Sequence, residues 1–359
     1  MARIDALFKE MLNEGASDLH MVSGQKPVLR VHGELKPLES HNVLEHYQLR
    51  TMLFEVAPDN KKEDFEKTGD VEFGCELPGV ARFRANMFQQ KYGCAAVFRH
   101  IPSKILSIED LGLPSILARA AMLHRGLVLV MGPRGSGKST TLAAMIDHAN
   151  RNRNDHIIII ENPIEFIHQS QRCVVNHREV GVHTKTFATA LRAALREDPD
   201  IILVGEMRDV DTIRFAVEAA ATGHLVFGIL HTTNAAEAVD RVIEVFPNEE
   251  QAQIRNTLST CLKVVVAQNL FTRIDTKGRC AAVEVMVCTK AIANLIREGK
   301  TSHIASAIQT GKTSGMQSLD DAILGLLNKK WISPEEAYEK CNEKTRFTSF
   351  LKTPPDELA

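Results

Sequence analysis

The segment Gly132-Pro133-Arg134-Gly135-Ser136-Gly137-Lys138-Ser139 has the spacing G-x-x-x-x-G-K-S and is followed by Thr140 and an apolar helical pattern over 142–149. Glycines at such spacing let backbone N–H groups turn inward onto phosphate oxygens, and the helix N-terminus behind them adds a favourable dipole. Lys138 would hold the β- and γ-phosphates, and the Ser139 hydroxyl would ligate the Mg²⁺ that bridges them. Gly132, Gly135, Ser136, Gly137 and Thr140 complete the cradle. The chemistry indicated is the binding of a nucleoside triphosphate with Mg²⁺.

Cleaving the terminal bond also needs a group that orients the attacking water, and donors for the charge that develops on the γ-phosphoryl group. Two apolar runs end in carboxylates: 157–160 leads into Glu161-Asn162-Pro163-Ile164-Glu165, and Ile201–Val204 leads into Gly205-Glu206-Met207-Arg208-Asp209. Glu165 is the first choice as the water-polarising base, and Glu161 is a second carboxylate for the water shell of the metal. No Asp ends the run 201–204, so Glu206 would touch Mg²⁺ through water or position the nucleophile. The run Leu225–Leu230 has His224 before it and His231 after it. His231, at the carboxyl end, is placed to donate to a γ-phosphate and report its loss; His224 sits at the wrong end.

These groups need a scaffold that brings strand ends together. The runs 127–131, 157–160, 201–204 and 225–230 are continuously apolar and alternate with helical patterns, as strands buried on both faces of a parallel sheet do. In such sheets ligands gather outside the carboxyl ends of the strands. The first hundred residues differ in texture. Ile4, Leu7, Phe8, Met11 and Leu12 recur at helical spacing and Gly15 stops that helix; β-like pieces follow at 28–31 (before His32-Gly33), 71–75, 80–88 and 95–99, with a helix over 47–56. Turn chemistry around Pro102, Gly112 and Pro114 separates the two textures. The expected domains are therefore 1–100 (small, α+β), a linker 101–114, and 115–359 (α/β). Beyond residue 235 helical patterns dominate, at 291–297, 319–327 and 334–341, and the tail Thr353-Pro354-Pro355-Asp356 is expected to fray.

Composition excludes several classes. A chain of 359 residues that is 44% hydrophobic and 25% charged is neither disordered nor fibrous. The formal charge of -2 lacks the basic excess of a nucleic-acid footprint, and Arg151-Asn152-Arg153 is expected to be exposed loop charge. No apolar run approaches the ~20 residues that span a bilayer, and the first residues form an amphipathic pattern unlike a signal peptide. A cytosolic protein is expected. The seven cysteines include no C-x-x-C pair, which predicts reduced structural thiols and no zinc site.

Taken together, several segments resemble the secretion-type, RecA-like ATPases, and within them the retraction motors of bacterial type IV pili. They are Gly15-Ala16-Ser17-Asp18-Leu19-His20, Ala81-Arg82-Phe83-Arg84-Ala85-Asn86, the phosphate loop, the stretch 161–165 (the Asp box of the family), 193–200, 205–209 and 222–231; 291–300 resembles a C-terminal motif of the retraction members. The resemblance covers nearly the whole chain. It implies a RecA-like P-loop NTPase domain preceded by a PAS-like α+β domain, a homohexameric ring, and ATP with Mg²⁺ bound near the cleft between the two domains of a chain, one of which swings on hydrolysis. It further implies that Arg82, Arg84 and Arg99 act as arginine fingers; read by period two alone, Arg82 and Arg84 simply share the outward face of a strand.

The implied partners are an inner-membrane pilus platform protein and other pilus ATPases, with no nucleic acid, and with contact to the inner face of the bacterial cytoplasmic membrane only through those partners. The neighbouring classes are an accessory retraction motor and a pilus-assembly or type II secretion ATPase, the latter normally carrying paired C-x-x-C motifs. A nucleotide-holding regulator and a nucleic-acid translocase are more distant alternatives. Two departures remove charge. Asn162 stands where the family has Asp, which implies slower turnover if that Asp acts directly, and Ala293 stands where the C-terminal motif has Arg.

Overall fold

The computed structural model describes residues 2–31, 33–101 and 104–351. His32 and Pro102, at expected turns, and the tail 353–356, expected to fray, lie outside the described residues. The chain divides into two compact units: 1–104 with Asn162–Ile167 and Glu179–His183, and the remainder. The two inserted segments come from the stretch expected in the second domain. They are tied into the first unit by Arg82 Nη2 donating to the Ile164 carbonyl (3.4 Å) and Asn60 Nδ2 donating to the Gly181 carbonyl (2.5 Å).

Period-two alternation shapes the first unit. Strands β1 (Asp18–Val22), β2 (Val28–Val31), β3 (Glu34–Pro37), β4 (Asp70–Leu77), β5 (Ala81–Gln90) and β6 (Gly93–Ile101) form one antiparallel sheet in the order β3-β2-β1-β6-β5-β4. Leu19, Met21, Phe83, Ala85, Met87 and Phe98 point to one face, where α1 (Asp5–Asn13), α2 (His46–Val56) and α3 (Asp59–Thr68) supply Phe8, Leu49, Leu53 and Phe65. The opposite face receives Asp18, His20, Arg82, Arg84 and Arg99. An antiparallel sheet packed on one side only has this polarity.

Phe8 is the centre of that core, stacked on Phe83 at 4.0 Å and edge-on to Phe98 at 5.1 Å. Phe8→Ala should cost about 3–5 kcal/mol, the range for a fully buried aromatic. Urea unfolding measures it, and a loss below about 1 kcal/mol would contradict this packing.

The second unit is built on a sheet whose central strands have no exposed face. Strands β7 (Gly126–Met131), β8 (His156–Glu161), β9 (Val174–Glu179), β10 (Ile201–Val204), β11 (Leu225–Leu230), β12 (Leu262–Thr272) and β13 (Arg279–Val287) are ordered β13-β12-β7-β11-β10-β8-β9. The central pairs β12/β7, β7/β11, β11/β10 and β10/β8 are parallel, and β13 returns antiparallel along β12. Every residue of β7, β10 and β11 is buried. Helices α4 (Ile116–Ala121), α5 (Lys138–Asn152), α6 (Phe187–Ala194), α7 (Val210–Thr222), α8 (Ala235–Glu244) and α9 (Asn248–Cys261) accompany the sheet. The C-terminal helices α10 (Lys290–Arg297), α11 (Ile304–Thr310), α12 (Leu319–Asn328) and α13 (Pro334–Lys340) follow. Of these, α12 and α13 close a smaller core around Phe271, Ile323, Ala337 and Phe347.

Two expectations needed revision. The hairpin β12–β13 lies where helical patterns had been expected to dominate. Arg153, expected as exposed loop charge, is folded in: it donates to the Leu123 carbonyl and pairs with Asp155, while Arg151 pairs with Asp147 at 2.8 Å.

One histidine of this unit makes its stability pH-dependent. Burial lowers His168 to about 4, and the His177 ring stacked at 6.1 Å adds a smaller push in the same direction. In the unfolded chain the imidazole titrates near 6.5, so acid favours unfolding there. The contribution is complete above about pH 6.5 and is lost as pH falls towards 4, amounting to about 3 kcal/mol. Urea unfolding at pH 7.5 and 4.5 should show a gap narrower by about 2 kcal/mol in His168→Leu than in the unmodified chain; equal gaps would refute it.

Candidate functional site

The phosphate loop connects β7 to α5. Gly135 and Gly137 have φ of +76° and +86°, and Gly137 caps α5 in the left-handed region, where a side chain would be strained. The Lys138 side chain is buried, and its Nζ donates to the carbonyls of Gly132 (2.9 Å) and Pro133 (2.8 Å), so the ammonium spans the loop. Ser136 Oγ is buried with no hydrogen-bond partner among the described residues. Ser139 and Thr140 are half-buried in the first turn of α5, beside helix N–H groups that have no intrahelical acceptor. A cradle of orphaned donors around a buried ammonium is suited to a polyanion.

Two of the three glutamates stand at neighbouring strand ends of the same unit. Glu161 closes β8 and is buried; Gly205, following β10, donates its N–H to the Ile160 carbonyl at 2.8 Å. A Cβ on Gly205 would sit 3.0 Å from Glu161 Cγ, so glycine there makes room for that carboxylate. Glu206 follows, and its Oε1 is bonded to His231 Nε2 at 2.7 Å and paired with Arg208. Its Oε2 carries no hydrogen bond within the described residues. The ends of β10 and β11 thus join Glu206 to His231, two residues picked separately from the sequence.

The motifs around them are structural caps. Asp209 accepts the Thr212 N–H at 2.9 Å to start α7, Asn234 accepts from Glu237 N–H at 3.0 Å to start α8, and His224 Nδ1 lies 3.0 Å from the Ala219 carbonyl.

Glu165 belongs to the first unit. Pro163 follows the end of β8, and the chain then carries Glu165 to Arg84, whose Nη1 donates to Glu165 Oε1 at 3.3 Å. Arg84 also pairs with Glu72, Arg82 with Glu76 at 3.5 Å, and Arg99 with the buried Asp18 at 2.8 Å. Arg84 and Arg99 are direct partners across β5 and β6, and Arg82 lies two residues along the same face. Arg82 Nε is buried with no hydrogen-bond acceptor among the described residues. The three candidate arginines therefore share one face of one sheet.

Sequence reasoning missed Gln268, on β12. It is buried; its Nε2 donates to the Ser136 carbonyl at 2.7 Å and its Oε1 accepts from Thr141 Oγ1 at 2.6 Å. The β-branched run Val264-Val265-Val266 just before it was the available signal for a strand ending at the loop. A cavity of about 320 Å³ beside the loop is lined by Arg134, Ser136, Asn269, Arg279 and Lys340, among others. Another cavity, about 420 Å³, lies over α2 against Tyr47, Arg50 and Phe54 and holds none of these groups.

No three His, Cys, Asp or Glu side chains among the described residues converge as a metal site of their own. Mg²⁺ suits the loop nonetheless, because this ion is held mainly by substrate phosphates and water with one or two protein oxygens. Ser139, half-buried in the first turn of α5, would be the residue to offer such an oxygen, and the buried, unpartnered Ser136 Oγ marks the loop as a polar cradle.

The model of the family described as type II/IV secretion system protein matches residues 1–338. The type IV pilus retraction ATPase PilT of Pseudomonas aeruginosa is 52% identical over 334 residues, covering 93% of this chain and 96% of the relative. A twitching motility protein of Neisseria gonorrhoeae is 49% identical, covering 87% and 83%. Among solved structures, the pilus retraction motor PilT with bound ADP superposes with a TM-score of 0.88 at 40% identity, covering 96% of this chain and 99% of that one. The α/β unit with its phosphate loop and the preceding α+β unit are thus those of a known family, and the chain is a member of the type II/IV secretion system proteins.

Proposed function

We propose that this chain is an ATP-hydrolysing motor that powers retraction of type IV pili. The observation that carries the reading is the pairing of a preformed phosphate loop with the Glu206–His231 couple at neighbouring strand ends of one sheet. The likeness to PilT over nearly the full length of both chains supports the same direction of work.

In this reading the α5 N-terminus and Lys138 bind the β- and γ-phosphates, and phosphate oxygens take the place of the Gly132 and Pro133 carbonyls on the ammonium. Ser139 would be the protein ligand of Mg²⁺, which when bound would supply positive charge to offset the charge that develops on the transferred group. Glu165, the first choice from the sequence, is engaged with Arg84, and we place the attacking water instead on Oε2 of Glu206, which His231 and Arg208 orient through Oε1. Glu161 orders the water shell of the metal. His231 reports departure of the γ-phosphate, because the hydrogen bond that fixes its ring is the one made to the water-holding carboxylate. Arg82, Arg84 and Arg99 supply cationic charge to a triphosphate, with Glu165 holding Arg84 until then. Six copies form the ring, and a platform protein of the inner membrane receives the motion.

Deleting the gene in its own organism tests the function. Cells should keep their fibres and lose retraction and twitching. Cells without fibres would point to assembly, and normal retraction to an accessory role.

A further inference from the structure

We propose that Gln268 is a positioning residue for the phosphate loop, setting the segment that carries Lys138 and Ser139 from the strand beside it. The proposal rests on the reading of that loop as a triphosphate site. One side chain grips the loop at two points, Ser136 before the Lys138-Ser139 pair and Thr141 after it, at 2.7 and 2.6 Å. A carbonyl oxygen accepts only, so the amide nitrogen must face Ser136 and the amide oxygen must take the Thr141 hydroxyl proton. The orientation is therefore determined, and the amide is buried, so both bonds form away from competing water.

The loop glycines carry the imprint of this contact. A Cβ on Gly137 would lie 2.8 Å from Gln268 Nε2. Gly137 is thus needed on its Gln268 side as well as for its left-handed φ. The grip also has an external connection. The residues following Gln268 on β12 are fastened to α13, with Lys340 Nζ donating to the Leu270 carbonyl at 2.9 Å and Thr272 N–H donating to Glu336. A C-terminal helix and the phosphate loop are joined through one strand.

The test is a double-mutant cycle on the full chain, read by steady-state ATP hydrolysis and by ADP affinity. Gln268→Leu should lower kcat about 10–100-fold, the scale for a small misplacement of reacting groups, with ADP affinity changed less than about threefold. Thr141→Val should reproduce part of the loss and Thr141→Ser, which keeps the hydroxyl, should restore it. The double variant Gln268→Leu/Thr141→Val should be no worse than Gln268→Leu within about twofold, since the two changes remove one shared bond. A merely structural role would weaken ADP binding and kcat in parallel, and that result overturns the proposal. So does a Gln268→Leu kcat within about twofold of the unmodified chain, or full additivity. An unmodified chain that neither binds nor cleaves ATP overturns the triphosphate reading, and this proposal with it; an active one with an indifferent Gln268 overturns this proposal alone.

Discussion

Lys138→Ala should abolish phosphate release from ATP, lowering kcat by about 10²–10³-fold or more, the scale for removing a preorganised donor from a developing charge. The ammonium is buried and sits across the loop against the Gly132 and Pro133 carbonyls, whose places phosphate oxygens take in the proposed complex. Removing it strips charge from the position where the γ-phosphoryl group becomes most negative. The loop itself should survive, because the grip of Gln268 on Ser136 and Thr141 is independent of the lysine. A variant that keeps a tenth of the activity would show that this ammonium does not face the transferred phosphate.

Glu206→Gln should have an effect of similar size, a loss of about 10²–10⁴-fold in kcat with ATP affinity nearly unchanged. The amide keeps the size of the carboxylate and one acceptor, but it carries no charge and is a poor base for water. His231 would still find an oxygen at 2.7 Å, so the geometry should hold while the chemistry stops. His231→Ala should cost less, about tenfold, because it frees the carboxylate without removing it. Comparing Glu161→Gln and Glu165→Gln in the same assay separates the three carboxylates. If Glu165→Gln alone stops turnover, the water belongs to the carboxylate that holds Arg84 in the first unit, and Glu206 does not hold the nucleophile.

The legible parts of the sequence were those in which one physical demand dominates. Strands buried on both faces must be apolar throughout, so β7, β8, β10 and β11 could be read directly, and the loop motif named its own neighbours. That Glu206 and His231 stand together followed from the strand-end rule only in outline, since the parallel neighbours β10 and β11 had to be known to adjoin. The hairpin β12–β13 was hidden because its apolar residues follow directly on helix α9 with no turn residue between them, Cys261 ending one element and Leu262 opening the next. Gln268 was hidden with it. Glu165 was read as a strand-end carboxylate of the α/β unit because a linear sequence does not show that the chain leaves β8 at Pro163 to join Arg84. The shared face of Arg82, Arg84 and Arg99 was half legible: period two gave the first two, and only the register of β5 against β6 adds the third.

The most direct test is phosphate release by the purified full chain supplied with ATP and Mg²⁺. Steady release that needs Mg²⁺ and vanishes in Lys138→Ala is the expected result. Tight retention of ATP with no phosphate released, under conditions where the chain is folded, would contradict the assignment of a hydrolytic motor.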